Sequence, residues 1–241
     1  MARNVVVTGG GTGIGRAVAA NFATQGDTVV ITGRRPEPLK HAAAELGPTA
    51  QAMVCDATDP AQVEAVRPHL PDSVDVLVNC AGGNTDLDRD RSGDLASLAA
   101  SWRANLEANL ISAVLMTAAV TDRLTDGGAV ISVGSIAADN GSGAYGAAKA
   151  GLASWNIELA AQLGPRGVTA NVIAPGYVSG TEFFRDQLTT QRRDALIAAT
   201  RTGRASTPED VAGAIAFLAS PAARQITGQV LAVNGGAHSS R

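Results

Sequence analysis

Residues Asn4–Val18 read NVVVTGGGTGIGRAV: a valine run, a cluster of glycines and the start of an amphipathic stretch. Three consecutive valines form a short apolar run of the kind that makes a strand buried on both faces. Five glycines follow within Gly9–Gly15, and then Ile14, Val18 and Phe22 recur at helical spacing. A glycine-rich turn between a strand and a helix suits an anion, because helix N-terminal N–H groups point at it and no Cβ keeps the backbone away. A dinucleotide pyrophosphate fits this context, and so does a tight strand-to-helix turn without a ligand. The strict GxGxxG pattern would place its last glycine on Ile14. The spacing that fits is GxxxGxG over Gly9, Gly13 and Gly15, with Gly11, Thr12 and Ile14 supplying intervening backbone. A nucleotide-triphosphate loop would end in Gly-Lys followed by Ser or Thr, whereas Arg16-Ala17 follow here.

The same alternation continues along the chain. Strands are predicted at Asn4–Thr8, Thr28–Thr32, Ala50–Cys55, Val74–Asn79, Gly128–Val133, Thr169–Ala174 and Gln229–Val233. Helices are predicted between them: one closed by Gly26, others over Pro38–Leu46, after Asp59-Pro60, over Leu95–Asp122 and Ala144–Leu163, and one capped by Thr207-Pro208-Glu209-Asp210. Apolar strands each followed by a helix imply an α/β fold, a doubly wound parallel Rossmann-type sheet of about seven strands with helices on both faces. No linker or repeat divides the 241 residues, so one domain over residues 1–241 is expected.

Composition narrows the function. The formal charge of −3 provides no basic footprint for a phosphate backbone, and aromatics at 3% leave few stacking platforms, which argues against nucleic acid. No apolar run reaches the roughly 20 residues of a membrane span, and the start carries no signal-peptide core, so a cytoplasmic protein without membrane partners is expected. Cys55 and Cys80 lack CxxC spacing and read as reduced buried thiols. Asp86, Asp88 and Asp90 alternate as in a calcium loop, but Arg91 and Ser97 stand where that loop needs glycine and glutamate. His41, His69 and His238 lie apart and adjoin no motif, so no metal is expected.

At the end of the second strand, where an NAD site would place a carboxylate, the chain has Gly33-Arg34-Arg35. Two guanidiniums suit a 2′-phosphate through bidentate bonds, which favours NADP(H) over NAD(H); a solvated basic turn is the plainer reading. Further along, Tyr145 and Lys149 are four apart and share a helix face, and Ser135 lies ten residues earlier, just past a strand end. A phenol with pKa near 10 is a poor proton donor at neutral pH, and a cation held about 4–6 Å away would bring that pKa down. Ser135 would hold a substrate oxygen towards Tyr145. Ser132 is the other serine nearby, and strand alternation with Val133 predicts that it is buried.

With these residues in hand, the sequence resembles the short-chain dehydrogenase/reductase family over essentially its whole length. TGGGTGIG is similar to the family's cofactor turn, Asn79-Cys80-Ala81-Gly82 to its NNAG strand end, and Tyr145/Lys149 to its YxxxK pair. Pro175-Gly176-Tyr177-Val178 resembles the PG motif, and Ile226–Gly236 the closing segment, with closest likeness to 3-oxoacyl carrier-protein reductases. The resemblance implies that Tyr145 is the general acid/base, Ser135 the carbonyl binder, and Lys149 a partner of both Tyr145 and the nicotinamide ribose. It implies that Asn109 bends a helix and holds a water in a proton relay. Asp56, followed by Ala57, would meet the adenine; Asn79, Ala81, Gly82, Pro175, Gly176 and Val178 would line the cofactor; Thr181 would reach a phosphate. Gly134 stands where the family often has a serine.

The expected activity is therefore NADP(H)-dependent reduction of a carbonyl, small or carried on acyl carrier protein, to a secondary alcohol, or the reverse. The alternatives are a non-catalytic redox-sensing dinucleotide binder and an epimerase or dehydratase. Family likeness implies a homotetramer, or a homodimer. Ser179–Arg204, polar and carrying Phe183-Phe184, would act as a lid over the substrate, and Arg192-Arg193 within it reads as a charged helix face.

Overall fold

The structure is a computed structural model and describes residues 2–88 and 93–239. In chain order the elements are β1 (Asn4–Thr8), α1 (Gly13–Thr24), β2 (Thr28–Gly33), α2 (Pro36–Leu46), β3 (Ala50–Val54), α3 (Pro60–Val66) and β4 (Val74–Asn79). These are followed by α4 (Leu95–Leu106), α5 (Ser112–Val120), β5 (Leu124–Val133), α6 (Ala137–Asn140), α7 (Gly143–Leu163), β6 (Thr169–Pro175), α8 (Thr190–Ala198), α9 (Pro208–Leu218) and β7 (Val230–Val233). All seven strands are parallel, in the order β3-β2-β1-β4-β5-β6-β7. The order reverses beside β1, which opens a crevice at the carboxyl ends of β1 and β4, where such sheets take ligands.

The valine run shows why the sheet is covered on both sides. Val5 and Val7 point to one face, where they join Ile31, Val76, Ile131 and Ile173 under Val18 and Phe22 of α1 and Val211 and Ile215 of α9. Val6 points to the other, where it joins Val30, Leu77 and Val130 under Leu159 and Leu163 of α7. Each such side chain fully buried contributes roughly 1.5–3 kcal/mol, so an unbroken apolar strand is the cheapest solution for a two-faced sheet.

The helix ends follow local chemistry. Asp59 accepts from Ala61 N at 2.9 Å to start α3, and Thr207 and Asp210 exchange side-chain-to-backbone bonds in a capping box that starts α9. The helix expected over Leu95–Asp122 is in fact α4 and α5 joined by a π-helical turn, Glu107–Ile111, because Asn109 there turns its side chain to a neighbouring loop. By length and composition Leu95–Arg123 could cross a membrane, but α4 packs on α7 and α5 packs on β4 and β5. The polar Ser179–Arg204 segment contains the nine-residue α8, started by Thr189 accepting from Arg192 N at 3.2 Å. Strand β5 begins four residues earlier than expected, at Leu124, and its pairing with β4 shifts register between Val74 and Val76.

Candidate active site

The glycine turn after β1 is shaped first by the protein's own packing. Gly9 has φ +68°, and a Cβ there would come within 2.9 Å of Ala81 N in the loop after β4. A Cβ on Gly15 would run into the carbonyl oxygen of Gly9. Thr8 ties the two loops together: its buried hydroxyl accepts from Cys80 N at 3.1 Å and from Ala81 N at 3.0 Å. The only signal of this role in the sequence is the place of Thr8 as the last residue of a buried strand before the glycines. No side chain caps α1 at Thr12, and no acid occupies its first turn. An uncapped N-terminus at the mouth of the crevice is the feature a diphosphate requires. The buried Asn79 Oδ1 at the end of β4 has no partner among the described residues, as expected where a bound molecule or water completes it. On these grounds the residues present fit a dinucleotide.

At the end of β2, Cys55 N donates to Gly33 O at 2.9 Å, which brings Asp56 and Ala57 alongside Gly33. Asp56 Oδ1 accepts from the backbone and hydroxyl of Thr58, at 3.0 and 2.8 Å. Arg34 is exposed. Arg35 opens α2 and is already engaged: its guanidinium lies 2.6 Å from Glu182 Oε2 and 3.5 Å from Thr12 Oγ1.

The groups suited to proton transfer gather at the ends of β5 and β6. After β5, Gly134 N donates to Ile173 O at 2.7 Å, and a Cβ on Gly134 would lie 2.6 Å from Val172 Cγ1. That contact leaves no room for the serine often found there in the resembling family. Ser135 Oγ accepts from Ala137 N at 3.1 Å and stands near enough to the Tyr145 phenol to draw its pKa down. Ser132 is buried behind the strand, with its hydroxyl 3.5 Å from Asn79 Nδ2. Tyr145 and Lys149 lie one turn apart on α7, only 7% and 5% exposed, with Nζ 5.8 Å from the ring centroid.

Their electrostatics differ from the sequence expectation. Lys149 Nζ donates to Val133 O at 2.7 Å. Burial pushes the Tyr145 phenol up to about 12, against the smaller downward pull of Ser135, and no acidification by Lys149 is seen. The cause is that both groups are desolvated together. Burial likewise pushes Lys149 down to about 8, with Cys80 opposing weakly, and the Cys80 thiol is pushed up to about 12, mainly by burial.

Asn109 sits in the π-helical turn and grips Gly83: its Oδ1 accepts from Gly83 N at 3.0 Å, and its Nδ2 donates to Gly83 O at 2.9 Å and Asn105 O at 3.0 Å. Both amide hydrogens are thus committed to backbone, and a Cβ on Gly82 would lie 2.6 Å from Asn109 Oδ1. Such π turns are frequent at functional sites. Asp86 is tied to Ser101 and, at 2.9 Å, to Asn105, which fixes it to α4; Asp90 and Arg91 lie outside the described residues.

After β6, Pro175 O accepts from Ile136 N at 3.1 Å, Gly176 N reaches Val233 O at 3.4 Å, and Val178 bridges to Ser206. Thr181 Oγ1 donates to Val178 O at 3.2 Å, and its methyl lies 3.5 Å from where a Cβ on Gly13 would stand. Next along the chain, the Phe183 ring meets Tyr145 edge-on at 5.6 Å and Phe184 packs on Tyr177 at 6.0 Å. A cavity of about 590 Å³ opens within the folds of this segment itself, lined by Tyr177, Thr181, Glu182 and Arg185 among others. His238 also comes close, with Nε2 3.2 Å from Asp139 of α6, four residues past Ser135. Neither Glu182 nor His238 was distinguishable in the sequence, since both are brought in by distant chain segments.

A family model described as enoyl-(acyl carrier protein) reductase matches residues 9–238. A putative oxidoreductase of Mycobacterium tuberculosis is 37% identical over 239 residues, covering 97% of both chains. The 3-oxoacyl-(acyl-carrier-protein) reductase of Escherichia coli K12 is 35% identical over 239 residues, covering 96% of this chain and 95% of that one. A short-chain dehydrogenase from Burkholderia cenocepacia, solved in complex with NADP, superposes with TM-score 0.86 at 31% identity over 99% of this chain and 98% of that one.

Proposed function

Because the chain belongs to the short-chain dehydrogenase/reductase family, and is thereby an NAD(P)-dependent oxidoreductase acting on CH–OH or carbonyl groups, we propose that it reduces a ketone to a secondary alcohol with NADPH. The observation that carries this reading is the Ser135–Tyr145–Lys149 set at the carboxyl end of β5, with Tyr145 and Lys149 buried and Ser135 partly exposed. When bound, NADP(H) supplies the hydride that the carbonyl carbon takes up. Gly9, Gly13 and the N-terminus of α1 would hold its diphosphate, Arg34 and Arg35 its 2′-phosphate, and Asp56 its adenine. Ser135 Oγ already accepts from Ala137 N, which leaves its own proton to donate to the carbonyl oxygen and turn that oxygen towards Tyr145.

Tyr145 then delivers its phenolic proton to the same oxygen, which completes the hydroxyl. The phenol is protonated at neutral pH even at its ordinary pKa near 10, so it carries the proton that reduction needs, and burial makes that proton harder to release. Lys149 stabilises the phenolate left behind, and its commitment to Val133 O fixes where that charge stands. Asn109 holds the loop after β4 in place through Gly83. The E. coli relative's substrate is named as a 3-oxoacyl group on acyl carrier protein, and 3-oxoacyl thioesters are accordingly the substrate class we favour.

Two exposed apolar faces support a homotetramer: Leu95, Leu98 and Trp102 of α4 with Ile157 of α7, and Phe217 of α9 with Val230 and Leu231 of β7. The test is NADPH oxidation followed at 340 nm with a panel of ketones and 3-oxoacyl thioesters. Turnover is expected in wild type and lost by at least about a thousandfold in Tyr145→Phe, with NADP+ affinity within threefold; a Tyr145→Phe variant that still turns over refutes the proton-donor role.

A further inference from the structure

Three consecutive residues reach three parts of the site. Thr181 lies over Gly13 of the cofactor turn, Glu182 pairs with Arg35, and Phe183 sits against the Tyr145 ring. We propose that Glu182 occupies the 2′-phosphate position on Arg35, so that a 2′-phosphorylated cofactor, and not its unphosphorylated counterpart, releases the Thr181–Leu188 strap from Tyr145. Glu182 is thereby a specificity-determining residue for the cofactor. The inference rests on the proposed reading of Arg35 as a 2′-phosphate ligand.

The chemistry follows from the groups involved. A carboxylate on a guanidinium presents two oxygens in the geometry that a phosphate also offers, and a phosphate carries more charge and more acceptors. The Arg35–Glu182 pair is 57% and 63% exposed, so an entering phosphate can reach it. An exposed pair of this kind biases an equilibrium by no more than about fivefold, weak enough to be displaced. Once the guanidinium is taken, the phosphate also repels Glu182. A ribose 2′-hydroxyl carries no charge and leaves the pair in place.

The strap is built to move as a unit. At one end Gly180 has φ +69°; further on, Arg185 and Asp186 hold φ of +47° and +62°, a left-handed backbone that non-glycine residues adopt only under constraint. Gln187 Nε2 donates to Leu87 O at 2.8 Å and anchors the far end. Because Glu182 and Phe183 are adjacent in the chain, a backbone shift that carries Glu182 away from Arg35 also shifts the ring that meets Tyr145 edge-on. A substrate carbonyl needs that space, so the adenosine end of the cofactor controls access to the proton donor.

Hydrogen exchange of the full chain over residues 181–188 tests this with two small probes, adenosine 2′,5′-bisphosphate and 5′-AMP, each at saturation as judged by calorimetry. The bisphosphate is expected to speed exchange at least threefold, 5′-AMP to leave it unchanged, and Glu182→Gln to be fast without either. The same substitution is expected to raise the ratio of kcat with NADH to kcat with NADPH by two- to fivefold. Bisphosphate that binds more tightly than 5′-AMP yet leaves exchange unchanged overturns the latch while sparing the cofactor reading. Bisphosphate that binds no more tightly than 5′-AMP overturns both, and exchange in Glu182→Gln equal to wild type overturns the role of Glu182.

Discussion

Replacing Lys149 by methionine should abolish turnover and yet stabilise the protein. The lysine is almost fully buried, and its pKa falls from 10.5 to about 8 through desolvation. A drop of that size, from 10.5 to about 8, corresponds to roughly 3 kcal/mol of penalty on the ammonium at pH 7. Methionine has similar volume and no charge, so the penalty goes. What is lost is the 2.7 Å bond to Val133 O, worth about 1–2 kcal/mol. The net expectation is a gain of about 1–2 kcal/mol at pH 7, or roughly 3–6 °C in Tm for a chain of this length.

The pH dependence gives the sharper test. A lysine whose folded pKa lies below its unfolded value is protonated in both states below pH 8, and there the penalty is felt in full. Between pH 8 and 10.5 the folded state has released its proton while the unfolded state keeps it, so wild-type stability rises with pH. By pH 9.5 wild type should have regained about 2 kcal/mol on Lys149→Met. Cys80 and Tyr145, both pushed up to about 12, act in the opposite sense above pH 9 and 10. They are present in both proteins and largely cancel in the comparison. Urea unfolding of the two proteins without added nucleotide, at pH 7 and 9.5, measures the difference. A variant less stable than wild type at pH 7, or a difference that does not change with pH, would refute the desolvation argument.

Two further outcomes follow from the cofactor crevice. Replacing Arg34 and Arg35 together by alanine should weaken NADPH binding at least about tenfold and NADH binding less than threefold by calorimetry, since the lost bidentate partner is a phosphate; equal losses would remove the basis for a 2′-phosphate site. Gly15→Ala should lower Tm by about 3–10 °C, because its Cβ meets the Gly9 carbonyl, whereas Gly213→Ala, with open space around it in α9, should be neutral or slightly stabilising; similar Tm values for the two variants would show that the turn tolerates a side chain.

The fold was legible because its signals are local. The valine run, the glycines after it, the Asp59 and Thr207 caps and the helical spacing of Tyr145 and Lys149 are each written in a few adjacent residues, and each is found as expected. The pattern also bore on Ser135 against Ser132, because strand alternation decides which of them is buried. What was not legible depends on distant segments. The glycines were read as making way for phosphates, but Gly9 and Gly15 are first required by the Ala81 loop and by each other. The π-helical turn at Asn109 exists because Gly83, 26 residues earlier, needs its amide. Arg35 was readable as a cation, but its engagement by a carboxylate 147 residues away was not.

The missed sign of the Tyr145 shift has the same origin and bears on mechanism. Sequence spacing shows that an ammonium stands one turn from the phenol, and from that alone acidification follows. It does not show that the same helix face is shut off from water, which penalises phenolate and ammonium alike. Phe183 packs edge-on against the Tyr145 ring and Lys149 is turned to Val133 O, so the desolvated state keeps the phenol neutral. A neutral phenol has the proton that reduction needs and lacks the charge that alcohol oxidation needs. Withdrawing Phe183 would admit solvent and substrate dipoles to the hydroxyl, and it would restore weight to the attraction of the nearby ammonium. The strap would then govern the acidity of the proton donor as well as access to it, so that Tyr145 becomes an effective acid only once the site has been opened for a substrate.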